Sequence, residues 1–132
     1  MHSKPTTGQP KPPVKGQRLH VLNTSIDQFL SIPYAKPLVG ALRFAKPEPI
    51  KTPLNDIIDA TKAGNSCIQR LQDVDRELLG DLTLSEDCLV LNIWTPNAGN
   101  NNTNKSQLKP IMFWIYGGGL TGGSIFSTAV YN

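Results

Sequence analysis

Residues Pro110 to Gly123 read PIMFWIYGGGLTGG, an apolar run that stops in three consecutive glycines. Ile111, Met112, Phe113, Trp114, Ile115 and Tyr116 show no polar alternation, the pattern of a strand covered on both faces in a parallel or mixed α/β sheet. Gly117, Gly118 and Gly119 lack Cβ atoms, so they can take positive φ and leave their N–H groups open to a ligand. Such N–H groups at the mouth of a strand can stabilise an oxyanion if a nucleophile stands nearby. The rest of the chain is read with that question in view.

The chain has 132 residues and ends at Tyr131-Asn132, shortly after its most apolar stretch. A buried strand needs neighbours on both sides, so the expectation is an incomplete N-terminal portion of a larger α/β domain. Net charge is +3, from 13 basic and 10 acidic residues that do not cluster, which argues against a nucleic-acid surface. No window approaches the roughly 18 apolar residues of a membrane-spanning helix. Residues 1–16, MHSKPTTGQPKPPVKG, hold four prolines and no apolar core of a signal peptide; they read as a flexible leader before a domain portion at 17–132.

Upstream, QRLHVLN (Gln17 to Asn23) and IDQFLSI (Ile26 to Ile32) partly alternate around Asn23-Thr24-Ser25, which predicts an antiparallel hairpin. Pro33, Pro37, Gly40, Pro47, Pro49 and Pro53 are too closely spaced for helix and lack too many donors for central strands. This is ordered loop, with Arg43 either solvated or paired to an acid elsewhere. Leu54 to Ala63 is compatible with a short strand or one helical turn. Leu71, Val74, Leu78 and Leu79 predict a short amphipathic helix ending at Gly80. LVLNIW (Leu89 to Trp94) predicts a strand in the same sheet as residues 111–116, across an Asn-rich loop at 96–109.

Cys67 and Cys88 enclose 20 residues. They suit a disulfide in a secreted protein or two thiols in a reducing compartment; a bridge would contribute about 3 kcal/mol by constraining the unfolded chain. Asn23, Asn101 and Asn104 begin N-x-Ser/Thr sequons in polar, turn-like contexts. Together with the even cysteine count they point to the secretory pathway, outside the cell or in the ER lumen.

Four segments, FLSIPYAKPLVGALRFAKPEPI, DATKAGNSC, SEDCLVLNIWTP and PIMFWIYGGGLTGG, together resemble the N-terminal part of type-B carboxylesterases, the cholinesterase and carboxylesterase branch of the α/β-hydrolase fold. The resemblance extends from about Gly16 to Asn132, and SEDCLVLNIW with WIYGGG carries its specificity. It implies a mixed sheet with an antiparallel hairpin, long ordered loops and a buried central strand. It further implies that Gly118 and Gly119 lend backbone N–H groups to an oxyanion hole, with Gly117 setting loop geometry. Cys67 and Cys88 match the family's first disulfide, and Glu86 matches an acid that pairs structurally with Arg43. The implied substrate is a small carboxylic ester, and no cofactor or metal is implied; oligomeric state stays open.

Departures from the family pattern carry information. Ser31 stands where the family has the glycine of GIPYA, Leu38 replaces a proline, and Leu120 replaces a common phenylalanine beside the oxyanion glycines, where it would reshape the wall near the acyl group. Cholinesterases carry a tryptophan between these two cysteines for cation–π binding of quaternary ammonium; residues 68–87 contain no aromatic residue, which favours general carboxylic esters over choline esters.

The family chemistry is acyl transfer by a serine on a G-x-S-x-G elbow with a histidine and an acid. The chain contains no G-x-S-x-G; Gly122-Gly123-Ser124-Ile125-Phe126 lacks the second glycine and follows the oxyanion loop directly. His2 and His20 sit far ahead of the family's C-terminal histidine and read as surface residues. The expectation is therefore part of a serine esterase, inactive by itself. A cholinesterase proper, a cholinesterase-like adhesion or binding protein, and a short protein useful on its own are the alternatives.

Overall fold

The computed structural model describes residues 13–50, 57–70, 82–96, 98 and 109–127. The amphipathic segment expected at 71–80 and most of the Asn-rich loop, with Asn101 and Asn104, lie outside these residues. So do His2 and most of the expected leader.

Strand structure dominates what is described: β1 (Val14–Lys15), β2 (Gln17–Val21), β3 (Thr24–Pro33), β4 (Ile58–Asp59), β5 (Ser66–Cys67), β6 (Leu84–Ser85) and β7 (Val90–Thr95), with a single 3-10 turn at Gly40–Leu42. The architecture agrees with part of an α/β-hydrolase domain. β2, β3 and β7 form an antiparallel sheet in that order, while β1 pairs with β4 and β5 with β6, both in parallel. Val14 and Lys15, assigned to the leader on composition, are thus held by ladder bonds to Ile58 and Asp59. The ladder is reinforced where the Ala60 N–H donates to the Lys15 carbonyl at 2.8 Å.

Val21 and Thr24 are the last partners of the β2–β3 ladder, so the connection is Leu22-Asn23 and begins one residue before the expected turn. Leu22 takes φ 53°, as a tight two-residue turn demands, and pays for it with a side chain left 99% exposed. Asn23, the one sequon asparagine among the described residues, is exposed in this turn.

β3 does not run straight along β7. Phe29 faces Ile93 and Ile32 faces Leu91, so Leu30 and Ser31 oppose Asn92 alone in a bulge. Two contacts satisfy the displaced backbone, Leu30 N–H donating to the Ala60 carbonyl at 2.8 Å and Ser31 N–H to Asn92 Oδ1 at 3.0 Å, while the Ser31 hydroxyl donates to the Lys62 carbonyl at 3.1 Å. Ser31 has φ 61°, which gives a physical reason for glycine at this position in the resembling family: a side chain in left-handed backbone costs about 1–2 kcal/mol.

In the proline-rich loop, of which Pro53 lies outside the described residues, backbone and side-chain contacts join the two ends of the described part. Ala35 bridges Pro49, Lys36 N–H donates to the Glu48 carbonyl at 2.8 Å, and Lys36 Nζ lies 2.8 Å from Glu48 Oε2.

The stretch from Ile111 to Tyr116 departs from expectation. It belongs to none of the seven strands, it does not join β7, and Ile111 and Met112 are 92% and 94% exposed. The reason is a shortage of covering surface: among the described residues only Ala35 and Ala60 are fully buried apolar side chains, so no layer exists against which a two-sided apolar strand can lie. β7 instead finds its partner in β3.

The sheet carries a half-buried ion pair, between exposed Arg18 and buried Asp27. Asp27 is 7% exposed, accepts from Arg18 Nε at 2.7 Å and Nη2 at 3.1 Å, and takes the Ala98 N–H at 2.7 Å. The hydrogen bond from Arg18, then that from Ala98, holds the Asp27 carboxyl below the usual carboxylate range. A depressed folded-state pKa stabilises the fold above the unfolded value of about 4, and that contribution disappears as pH falls through the folded value. In urea unfolding across pH, Asp27→Asn is therefore expected to be less stable than the parent at pH 7. The two curves are expected to converge below about pH 4; a gap independent of pH would contradict the assignment.

Candidate active-site loop

Gly117 to Gly123 folds back on itself. The Gly118 carbonyl accepts from the Thr121 and Gly122 N–H groups, both at 3.1 Å, and from Thr121 Oγ1 at 3.2 Å. Gly118 takes φ 144° and Gly123 φ 108°. The return is tight: a Cβ on Gly118 would stand 1.9 Å from the Gly122 carbonyl oxygen, and one on Gly123 would stand 2.4 Å from that of Gly117. The two ends of the loop are thus in backbone contact, a packing only glycine permits.

Gly119 sits at φ 60°, where an added Cβ would meet only Thr121 Oγ1, at 4.0 Å. Gly117 differs from its neighbours, since its φ lies outside the left-handed region and an added Cβ would meet nothing within 4 Å. The geometric demand for glycine therefore falls on Gly118, Gly119 and Gly123 rather than on Gly117. All three residues of the triplet are exposed, and among the described residues no acceptor takes the N–H of Gly118 or Gly119. Leu120, expected to form part of a wall, is fully exposed at φ 64°.

The loop is carried by the disulfide. Cys67 and Cys88 are bonded, with Cα atoms 5.1 Å apart, so the two-thiol alternative is excluded. Residues on either side of Cys67 reach across to the chain after the glycines. Ser66 Oγ lies 2.6 Å from Ser124 Oγ in a buried pair, and Gln69 binds both backbone groups of Gly123. Ser124, besides lying outside any elbow motif, is 4% exposed and accepts the Phe126 N–H at 2.9 Å. A hydroxyl so engaged is a structural residue, not a nucleophile.

Arg43 Nε stands 2.5 Å from Glu86 Oε1, and the Arg43 guanidinium also covers the Phe44 ring at 5.1 Å. With Arg43 58% exposed, the pair contributes at most about 1 kcal/mol. It links the proline-rich loop to the segment entering Cys88. His20 Nδ1 contacts Ser25 Oγ at 3.0 Å, but the two are exposed cross-strand partners of β2 and β3, remote in sequence from the glycine loop. Among the described residues no group of histidine, cysteine and acidic side chains is arranged to hold a metal ion, and no helix is long and apolar enough to cross a membrane.

Gln69 and Gly123 are the residues that sequence reading missed. Neither lies in a periodic segment, and the only signal was the second glycine pair in GGGLTGG, which was tested as a nucleophile elbow and set aside.

Two stability outcomes follow from this geometry. Gly117→Ala is expected to leave the urea midpoint nearly unchanged, within about 0.5 kcal/mol. Gly123→Ala is expected to lose more than about 1 kcal/mol, because it meets both unfavourable φ and the Gly117 carbonyl. Equal effects would contradict the loop conformation. Separately, reducing the Cys67–Cys88 bridge is expected to lower unfolding stability by about 3 kcal/mol.

The model of the carboxylesterase family matches residues 5–131. A mouse (Mus musculus) cholinesterase is 41% identical over 118 residues, covering 84% of this chain and 18% of the mouse protein. Pyrethroid hydrolase Ces2e of Rattus norvegicus is 40% identical over 125 residues, 89% of this chain and 20% of its own length. Cocaine esterase of Oryctolagus cuniculus is 39% identical over 125 residues, 89% of this chain and 22% of its own. The chain thus spans about a fifth of the length of the curated relatives it matches. With the glycine loop, the bridged cysteines and a family match over nearly every residue, the chain belongs to the carboxylesterase family.

Proposed function

We propose that this chain supplies the oxyanion-binding, disulfide-rimmed portion of a serine carboxylic-ester hydrolase and does not hydrolyse esters by itself. The observation that carries the reading is the exposed Gly118-Gly119 pair, whose N–H groups have no acceptor among the described residues although the Gly118 carbonyl is fully engaged. A loop whose carbonyl is turned inward and whose donors are left to solvent suits an anion that forms only during reaction.

In this mechanism a serine outside these residues attacks the ester carbonyl, and the carbonyl oxygen becomes an oxyanion. Gly118 and Gly119 donate to it, each worth roughly 3 kcal/mol of transition-state stabilisation. Loss of the alcohol leaves an acyl-serine, which water then hydrolyses through a second oxyanion held by the same donors. The substrate class is small carboxylic esters. Choline esters are disfavoured by the absence of any aromatic residue at 68–87, although relatives named cholinesterase match as well as relatives named for other esters. The disulfide and the exposed Asn23 sequon support an extracellular or ER-lumenal setting, with Asn101 and Asn104 as further glycan acceptors.

Two measurements test the proposal. The oxidised 132-residue chain is expected to turn over p-nitrophenyl acetate no faster than its Gly118→Asp variant; a reproducible excess would overturn its inactivity. In the protein carrying a complete esterase domain, Gly118→Asp is expected to lower kcat by roughly a hundred- to a thousandfold. An unchanged kcat would remove Gly118 from the oxyanion hole.

A further inference from the structure

We propose that Gln69 is a positioning residue for the oxyanion loop: its side-chain amide clamps Gly123 and so couples the placement of Gly118 and Gly119 to the Cys67–Cys88 bridge. The inference rests on the oxyanion reading of those two glycines.

The clamp is a two-sided contact. Gln69 Oε1 accepts the Gly123 N–H at 2.8 Å, Gln69 Nε2 donates to the Gly123 carbonyl at 3.0 Å, and the same Nε2 donates to the Cys67 carbonyl at 3.2 Å. One planar amide therefore binds both backbone groups of Gly123, as a neighbouring strand would, and uses its second hydrogen to lock itself to the backbone of the bridged cysteine. A Cβ on Gly122 would stand 3.0 Å from Gln69 Oε1, so the amide lies directly against the returning arm of the loop.

Gly123 is the position from which the triplet is held. Its Cα faces the Gly117 carbonyl oxygen, while Gly122, one residue earlier, donates its N–H to Gly118 and presses its carbonyl on the same glycine. Fixing Gly123 fixes Gly122, and through it the peptide planes of Gly117 and Gly118. The buried contact between Ser66 and Ser124 pins the adjacent residue from the other side of Cys67. The bridge is thus the base of two polar arms, and Gln69 is the one that reaches the glycine loop itself.

The chemistry requires an amide. A carboxylate has no hydrogen for the Gly123 and Cys67 carbonyls and would set negative charge against both; an apolar side chain of equal length makes neither bond. A protonated carboxyl, with one donor and one acceptor, reproduces the pair on Gly123.

Amide hydrogen exchange, followed by NMR on the oxidised 132-residue chain, tests the clamp without any need for activity. Gln69→Met is expected to speed exchange about tenfold at Gly123 and also at Thr121 and Gly122, the amides bonded to the Gly118 carbonyl. Leu30, whose N–H is bonded to Ala60 in the bulge, is the control and is expected to keep its rate. Gln69→Glu is expected to show the same acceleration at neutral pH, and to lose it relative to the parent at equal pH as the side chain protonates below about pH 4. Acceleration confined to Gly123, equal acceleration at Leu30, no acceleration at all, or a Glu variant without pH dependence would each overturn the proposal. Because no rate depends on hydrolysis, failure of the clamp is distinct from failure of the oxyanion reading, which kcat of Gly118→Asp reports separately.

Discussion

The Cys67–Cys88 bridge is the constraint on which the rest depends. Among its described residues this chain buries no apolar side chain larger than alanine, so a packed core does not fix distant segments there. The bridge joins the end of β5 to the segment before β7, and each polar network of the site starts within two residues of it. Ser66 and Gln69 reach from Cys67 to Ser124 and Gly123; Glu86, just before Cys88, reaches Arg43 in the proline-rich loop. A covalent link holds its geometry where packing is thin, and short hydrogen bonds then extend that geometry to backbone that must stay exposed.

A second economy concerns backbone polar groups. The bulge in β3 displaces Leu30 and Ser31 from the ladder, and their N–H groups find acceptors in Ala60 and Asn92. The glycine loop does the opposite: the Gly118 carbonyl is satisfied internally, while among the described residues the N–H groups of Gly118 and Gly119 are not. An unsatisfied donor is tolerable when it faces solvent and becomes useful when an anion replaces the water. The loop can hold that asymmetry because glycine tolerates the necessary φ values.

How much of this was legible follows from the range of the interactions. The glycine triplet was visible as a local break in an apolar run, and LVLNIW announced a strand that the structure places at Val90–Thr95. The disulfide was chemically open until the family resemblance resolved it. LVLNIW was expected to share a sheet with residues 111–116, but an apolar pattern states that a strand wants cover and does not say which strand provides it; Ile111 to Tyr116 have the same pattern and stay outside the ladders. Gln69 was illegible for a different reason. Its partner lies 54 residues away, and a single polar residue after a cysteine carries no periodic signal. Ser31 was noticed as a departure from the family, but its φ of 61° is a tertiary fact, set by the bulge and by contact with Lys62.

The proposed division of labour is that the chain holds the electrostatic cradle of an esterase site, while the bond-making serine belongs to other residues. Labelling the protein that carries a complete esterase domain with a fluorophosphonate, which reacts with an activated serine, and mapping the adduct by peptide mass spectrometry tests this directly. The account predicts a single adduct on a serine outside the 132 residues described here. An adduct on Ser124 or any other serine within them, or no adduct at all, would contradict it.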